Sequence, residues 1–167
     1  MSNSNLSEVE KLWEGHQLDS FDCGNKALND WLKGFALLNQ RGDAVQTYVV
    51  HRGQVVVGYY SLAAGSVRRE EATARVAKGL AQHPIGVILL ARLAVDQREK
   101  GRGLGKALLK DSLLRIHGAA DIVGARAVLV HAIDTEAAEF YKHFNFEPSS
   151  VDPLTLMLLM KDLRASL

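Results

Sequence analysis

Arg98-Glu99-Lys100-Gly101-Arg102-Gly103-Leu104-Gly105-Lys106 is the glycine-rich stretch of this sequence. It follows an apolar segment, residues 87–95, and precedes a segment whose leucines repeat at helical spacing. Glycine lets a backbone approach an anion closely, and the start of a helix offers unpaired N–H groups and the positive end of its dipole. The unit therefore predicts a phosphate or pyrophosphate site. The alternative is a glycine turn that only caps the helix.

Two common phosphate-binding motifs do not fit this loop. A P-loop has four residues between its first glycine and Gly-Lys, whereas three residues separate Gly101 from Gly105. A P-loop also continues with Ser or Thr, and here Ala107 follows Lys106. A dinucleotide-binding loop has the spacing Gly-x-Gly-x-x-Gly, which differs from the Gly-x-Gly-x-Gly of this chain.

The remaining sequence predicts alternating helices and strands. Their order indicates a mixed α/β sheet with one parallel βαβ step in the middle. The predicted elements are a helix over 25–38, a hairpin of 45–51 and 55–62, a short helix within 67–84, a strand over 87–95, a helix from Gly105 that ends at Gly118, a strand over 127–132, a helix over 135–144 capped by Asp134, and a strand over 154–161.

The composition is that of an ordinary globular protein. The 167 residues hold 20 Lys and Arg against 19 Asp and Glu, and 47% are hydrophobic. This length predicts a single domain, residues 1–167. Basic side chains concentrate at residues 98–110, which favours a discrete anionic ligand over a general coat of nucleic acid.

Several classes of protein and site are not indicated. The single Cys23 leaves no intramolecular disulfide or cysteine zinc cluster, and we expect it to be a small buried side chain. His51, His83, His131 and His143 lack metal-ligand spacing, so we predict no metal site. The first ten residues do not resemble a signal peptide, and no apolar run reaches the roughly 20 residues of a membrane span. We therefore expect a soluble, cytoplasmic protein.

The loop resembles motif A of the GNAT acetyltransferases, Gln/Arg-x-x-Gly-x-Gly/Ala. Arg98, Gly101 and Gly103 match it, and the strand over 89–95 stands in the family's usual position. The helix that carries Tyr141 before Phe144-Asn145-Phe146 is similar to the family's motif B. The two motifs in this order imply the GNAT acyltransferase fold, an α/β mixed sheet with a splayed central parallel strand pair.

Further segments resemble the toxins of GNAT-type toxin–antitoxin modules. They are Ser20-Phe21-Asp22-Cys23-Gly24, Leu28-Asn29-x-Trp31-Leu32, Pro84-Ile85 and Arg92-Leu93-Ala94-Val95-Asp96. This resemblance implies an acetyl-CoA-dependent N-acetyltransferase that acetylates the α-amino group of aminoacyl-tRNA and inhibits translation. It also implies a homodimer that is neutralised by a ribbon-helix-helix antitoxin.

The resemblance assigns roles to individual residues. Tyr141 takes the position of the general acid that protonates the departing thiolate, although its spacing alone favours a core tyrosine. Lys33, Arg75, Lys78 and Arg92 are our own candidates for tRNA contacts, because they lie outside the cofactor loop in segments that the expected fold brings near the cleft. Ordinary solvated charge is the alternative. The cofactor-binding candidates are Leu93, Ala94, Val95, Arg98, Lys100, Gly101, Arg102, Gly103, Leu104, Gly105 and Lys106.

Two other functions remain open at this point. One is a GNAT acetyltransferase that acts on a small amine or a protein N-terminus, against which the Phe21-Asp22-Cys23-Gly24 opening argues. The other is a CoA-binding module without catalysis, against which the retained Tyr141 and intact motif A argue. The sequence does not indicate which aminoacyl-tRNA is preferred.

Overall fold

A computed structural model describes residues 4–80 and 84–167 of the chain. Short strands and helices alternate along most of its length. In chain order the elements are β1 (Glu10–Lys11), α1 (Lys26–Gly34), α2 (Ala36–Arg41), β2 (Gln46–Arg52), β3 (Val55–Val67), α3 (Ala74–Ala77), β4 (Ile85–Val95), a 3-10 turn (Gln97–Glu99), α4 (Leu104–Val123), β5 (Ala127–His131), α5 (Thr135–His143), β6 (Glu147–Pro148), β7 (Thr155–Leu159) and α6 (Met160–Ser166).

The strands form a seven-stranded mixed sheet in the order β1-β2-β3-β4-β5-β7-β6. β4 and β5 pair in parallel, with Val87 opposite Ala127 and Leu89 opposite Leu129. The β2–β3, β5–β7 and β6–β7 pairs are antiparallel. The predicted mixed α/β sheet with a parallel step is confirmed, while the splay of the parallel pair stays a prediction.

Internal contacts divide the chain into two compact units. Unit 1 is Met1–Ala63 with Ala91–Ser112, and unit 2 is Ala64–Leu90 with Leu113–Leu167. β3, β4 and α4 each contribute residues to both units. A single domain over residues 1–167 remains our interpretation of this chain. Among the described residues, no helix is both long and apolar enough to cross a membrane.

Each unit has its own core, built from the inward faces of its strands and helices. In unit 1 a cluster around Phe21, Leu32 and Tyr59 packs beneath α1, and all three side chains are buried. In unit 2 a cluster that includes Val76 and Met157 packs around β5 and β7. Apolar burial of this kind stabilises the fold by roughly 25 cal/mol per Å² of area removed from water. These two cores therefore hold in place the strands that carry the site.

The predicted helix over 25–38 is wrong as a single element. The backbone leaves helical geometry at Phe35 (φ −129°, ψ −24°), so α1 and α2 are separate helices. Gly34 precedes the break, and glycine is a poor helix former. Leu32 is buried, whereas Phe35 is 53% and Leu38 66% exposed, so only the first part of the apolar stripe reaches the core.

Other boundaries differ from the prediction as well. The second hairpin strand, predicted to end at residue 62, continues to Val67. α4 passes through Gly118 and ends before Gly124, whose φ of +82° is the left-handed geometry of a helix end. The last strand ends at Leu159 and α6 follows at once, so Lys161 lies in a helix. The helix within 67–84 is reduced to the four residues of α3. The short edge strands β1 and β6 have no counterpart in the prediction.

Candidate functional site

The predicted phosphate loop lies between β4 and α4. Gly101 and Gly103 have φ values of +81° and +78°, in the left-handed region that favours glycine. A Cβ at either position would meet no atom within 4 Å, so the backbone angle, not crowding, requires glycine. The Ala107 N–H bonds to the Gly103 carbonyl at 3.1 Å, so the N–H groups of residues 104–106 belong to the first turn and have no intrahelical acceptor.

The Asp96 carboxylate anchors the start of this loop. It is 1% exposed and accepts two bonds from the Arg98 guanidinium, each at 2.9 Å, and one from the Arg98 N–H. It also accepts the Asp22 N–H at 3.0 Å. Burial alone would raise the pKa of Asp96, but these hydrogen bonds from Arg98 and Asp22 outweigh it and hold the pKa below its usual value.

The Asp22-Cys23-Gly24 segment supports the loop from a distant part of the chain. The Gln97 N–H donates to the Asp22 carbonyl at 2.9 Å, and Lys100 Nζ donates to the Cys23 carbonyl at 2.9 Å. Asp22 in turn accepts the Gly24 N–H and the Asn29 side chain, which lower its pKa. The sequence motif that resembles the toxin opening therefore serves here as the support of the glycine loop.

The basic side chains of the loop are largely committed to partners within unit 1. Arg98 pairs with Asp96, which raises the pKa of Arg98, and Arg102 lies 3.5 Å from Glu99. Glu99 is buried and binds Arg52 through two hydrogen bonds of 3.0 Å. Within the described chain, Lys106 is exposed on the first turn of α4 and has no ion pair.

The end of β4 contains the predicted main-chain segment, residues 93–95, and a half-buried arginine. Ala94 is buried in the unit 1 core, while Leu93 and Val95 are half-buried. Arg92, one residue before Leu93, lies with its guanidinium carbon 3.8 Å from the centre of the Trp31 ring. Burial lowers the pKa of Arg92.

Tyr141 lies on α5 in unit 2. The residue is 8% exposed, and its ring packs against Phe140 and Phe146 at centroid distances of 5.2 and 5.4 Å. Burial raises the pKa of Tyr141 well above its ordinary value, so the phenol stays protonated at neutral pH. Its hydroxyl makes no hydrogen bond to the described residues. The Tyr141 oxygen is not among the fully buried polar atoms without a partner in the described chain, so solvent or a ligand can reach it.

Two of the candidate tRNA contacts lie together in unit 2. Arg75 and Lys78 line a depression of about 340 Å³ with Arg126 and Lys161. Arg75 binds Asp162 through two bonds of 2.5 and 2.8 Å and Glu147 at 3.1 Å, so its charge is largely balanced. Arg126 donates to backbone carbonyls, including those of Val76 and Lys78. Lys33 is exposed on α1 of unit 1.

Sequence spacing missed one cluster of potential metal ligands. Glu10, His16 and His51 each offer one ligand atom, and these atoms lie within 4.8 Å of one another. Both histidines donate Nε2–H to one Glu10 oxygen, at 2.7 and 2.8 Å. Their Nδ1 atoms accept backbone N–H groups of Trp13 and Gln54, which fixes the proton on Nε2 and opposes metal binding there. His83 lies outside the described residues.

Comparison with known proteins places this arrangement in a family. Residues 43–148 match the family described as "Acetyltransferase (GNAT) domain". This chain belongs to the GNAT acetyltransferases. Within that family it is 47% identical over 162 residues, 97% of each chain, to a protein of Mycobacterium tuberculosis (strain ATCC 25618 / H37Rv) named "tRNA-acetylating toxin". It is 28% identical to the "Probable toxin TacT" of Sinorhizobium fredii (strain NBRC 101917 / NGR234), over 90% of this chain and 88% of that one.

Solved structures of GNAT toxins have the same fold. AtaT complexed with acetyl-methionyl-tRNAfMet superposes with a TM-score of 0.89 at 26% identity, over 97% of this chain and 99% of that one. A Tyr-to-Phe variant of AtaT, bound to the C-terminus of the antitoxin AtaR and acetyl-CoA, gives 0.83 at 25% identity over 97% of each chain. The predicted family, GNAT fold and acetyl-CoA-dependent acetyltransferase activity are confirmed. The roles of individual residues stay predictions.

Proposed function

We propose that this GNAT protein acetylates the α-amino group of aminoacyl-tRNA and thereby inhibits translation. The observation that carries the proposal is the 47% identity, over 97% of each chain, to a tRNA-acetylating toxin. The glycine loop, the free first turn of α4 and the buried phenol of Tyr141 supply, in this chain, the groups that such a reaction needs.

Acetyl-CoA supplies the activated acetyl group as a thioester. The N–H groups of residues 101–106 would bind its pyrophosphate, with Lys106 as the basic side chain free to add a charge-assisted contact. Arg98, Lys100 and Arg102 act mainly by shaping the loop, because each already has a partner. The main chain of residues 93–95 would pair with the pantetheine arm, and one of its N–H groups would polarise the thioester carbonyl.

Tyr141 would donate its phenolic proton to the thiolate as the C–S bond breaks and the C–N bond forms. A positioned general acid contributes on the order of 10²–10⁴-fold to such a step. The acceptor needs no strong base, because an α-amino group has a pKa of about 8 and is partly neutral at pH 7. Tyr-to-Phe variants of AtaT have been solved, which fits a functional tyrosine in these toxins.

The basic depression of unit 2 would bind the phosphates of the tRNA. Lys78 and Lys161 contribute exposed charges, and Arg126 is held by backbone carbonyls in a fixed position. Arg75 contributes less, because Asp162 and Glu147 already balance it. Lys33 and Arg92 are the candidate contacts of unit 1.

The relatives also suggest the partners. AtaT has been solved with the antitoxin AtaR, and we propose that an antitoxin of the ribbon-helix-helix class neutralises this chain. We further propose that the protein acts as a homodimer, and in the cytoplasm, where its substrate is found.

The test is transfer of radiolabelled acetyl from acetyl-CoA to charged total tRNA, with uncharged tRNA as the control. Label on charged tRNA only would support the proposal. No label on either, in a protein that still binds acetyl-CoA, would contradict it and direct the search to small amines and protein N-termini.

A further inference from the structure

Arg92 differs from the other arginines of unit 1. Arg41, Arg52, Arg98 and Arg102 each lie within 3.5 Å of a carboxylate oxygen. Within the described part of the chain, Arg92 has neither an ion pair nor a hydrogen bond, although it is half-buried. A guanidinium carries five N–H donors, and those of Arg92 are not among the fully buried unpaired atoms of the described chain, so solvent or a ligand can reach them.

The surroundings hold this guanidinium in one place. It lies on the ring of Trp31, at 3.8 Å, and Trp31 is stacked on Tyr59 with an angle of 14° between the rings. The hydroxyl of Tyr59 donates to the Leu28 carbonyl at 2.8 Å, which ties the stack to α1. A cation on an aromatic face still has its in-plane donors free to bind an anion.

The position along β4 indicates which anion. Arg92 directly precedes residues 93–95, the main chain proposed to hold the thioester, and lies roughly 10 Å from Val95 at 3.3 Å per residue. An anion bound here would therefore lie close to the acceptor amine and away from the pyrophosphate loop. In aminoacyl-tRNA, the phosphate nearest to the α-amino group is the one on the 5′ side of the terminal adenosine.

We propose that Arg92, supported by Trp31, binds the phosphate on the 5′ side of the terminal adenosine and so positions the aminoacyl group. This inference rests on the proposed function and adds a defined subsite to it. Trp31 is engaged by Arg92 and Tyr59, so it serves as the support of the guanidinium rather than as a platform for a base.

Two fragments of charged total tRNA test the subsite. A ribonuclease that cleaves after pyrimidines leaves aminoacyl-adenosine with a free 5′-hydroxyl, whereas a nuclease that leaves 5′-phosphates yields the same compound with its phosphate. We expect the wild-type protein to prefer the phosphate-bearing fragment by about 10- to 100-fold in kcat/KM, the usual effect of a charged hydrogen bond. Arg92→Gln should abolish this preference, and Arg92→Lys should retain part of it.

The controls separate a binding role from a structural one. Acetyl-CoA affinity and Tm should stay unchanged in both variants, and Arg41→Gln, which removes a surface charge paired with Glu14, should keep the full preference. Trp31→Phe should reduce the preference for the phosphate-bearing fragment, because the guanidinium then lies on a smaller aromatic face.

The outcomes are distinct. Three results would overturn the subsite and leave the proposed function standing. The wild-type protein could acetylate the two fragments at equal rates, or Arg92→Gln could lose the same activity on both. The third result is activity on intact charged tRNA but on neither fragment. A wild-type protein that acetylates neither charged tRNA nor a fragment would overturn the proposed function itself.

Discussion

The Asp96 carboxylate accepts the backbone N–H of Asp22 at 3.0 Å, across 74 positions of sequence. The same carboxylate binds the Arg98 guanidinium and N–H, so one buried acid joins the start of the glycine loop to the Asp22-Cys23-Gly24 segment. Loop geometry in this GNAT protein thus depends on a residue outside the glycine motif.

Asp96→Asn should loosen the loop and destabilise unit 1. A hydrogen bond to a charged group contributes about 1.5–3 kcal/mol. We expect the free energy of unfolding to fall by about the same amount in Asp96→Asn. Acetyl-CoA affinity should fall with it. Denaturant unfolding and calorimetric titration measure both effects. The exposed Asp121→Asn is the matched control, and equal behaviour of the two variants would contradict the role of Asp96.

The Asp96 carboxylate should also make the stability of the folded protein depend on pH. Its pKa in the folded protein lies below the unfolded value of about 3.9, so its contribution to stability is present above pH 4 and is lost as pH falls through the folded pKa. The stability difference between wild type and Asp96→Asn should therefore shrink in acid. Unfolding curves between pH 7 and pH 2 measure it, and a constant difference would contradict the prediction.

Gly103→Ala should weaken acetyl-CoA binding without a steric clash. The left-handed backbone costs an alanine about 1–2 kcal/mol, which corresponds to roughly 5- to 30-fold in Kd if the loop relaxes. Gly118→Ala is the control, because Gly118 lies inside α4 with no atom within 4 Å of its added Cβ. There alanine should raise Tm slightly and leave Kd unchanged.

Tyr141→Phe should lower kcat by on the order of 10²–10⁴-fold while KM for acetyl-CoA stays constant. The ring packing against Phe140 and Phe146 is retained, so Tm should change little. Tyr48→Phe, on a half-buried tyrosine stacked on Tyr60, is the control and should keep full activity. Wild-type turnover in a folded Tyr141→Phe protein would remove the general-acid role.

Replacement of both Lys78 and Lys161 by Gln should reduce the salt dependence of tRNA binding. Each lost phosphate contact lowers the slope of log K against log salt by about 0.7–0.9, so we expect a change of roughly 1.5. Filter binding at several salt concentrations measures it. Lys26→Gln, whose charge pairs with Asp30, is the control. An unchanged slope would exclude the basic depression as the tRNA surface.

Zinc should leave Tm unchanged, because backbone N–H groups occupy the Nδ1 atoms of His16 and His51.

The His16 hydrogen bond is the main cause of a lowered pKa at Glu10. The Glu10 carboxylate therefore stabilises the fold above about pH 4.3 and less so below it. Glu10→Gln should lower Tm at pH 7 and have little effect near pH 3. A Tm increase with zinc in the wild-type protein, lost in Glu10→Gln, would instead identify a metal site.

The glycine loop could be predicted from sequence because its requirements are local. A strand, two glycines at left-handed positions and a helix follow one another directly within residues 85–123. The Asp134 cap of α5 was predictable for the same reason, since its carboxylate accepts the Ala137 N–H three residues away at 2.8 Å.

Contacts between distant segments could not be predicted in this way. No local pattern indicates that Asp162 and Glu147 balance Arg75, or that Cys23 offers its carbonyl to Lys100. The Glu10 cluster was missed because its histidines belong to a loop and a strand that come together only in the folded unit. The separate helix α2 was not predicted, because Phe35 and Leu38 continue the apolar spacing of α1 in the sequence. In the structure the helix is interrupted at Phe35 and both side chains are exposed.

The Asp22–Asp96 bond also has a consequence for synthesis of the chain. A ribosome adds about 5–20 residues per second, so the Asp22-Cys23-Gly24 segment exists for roughly 4–15 s before its partner is made. During that interval the nascent chain has no glycine loop to support, and every contact of the segment with the loop forms only after residues 96–100 have emerged. The GNAT site of this chain therefore stays incomplete until more than half of the chain has been synthesised.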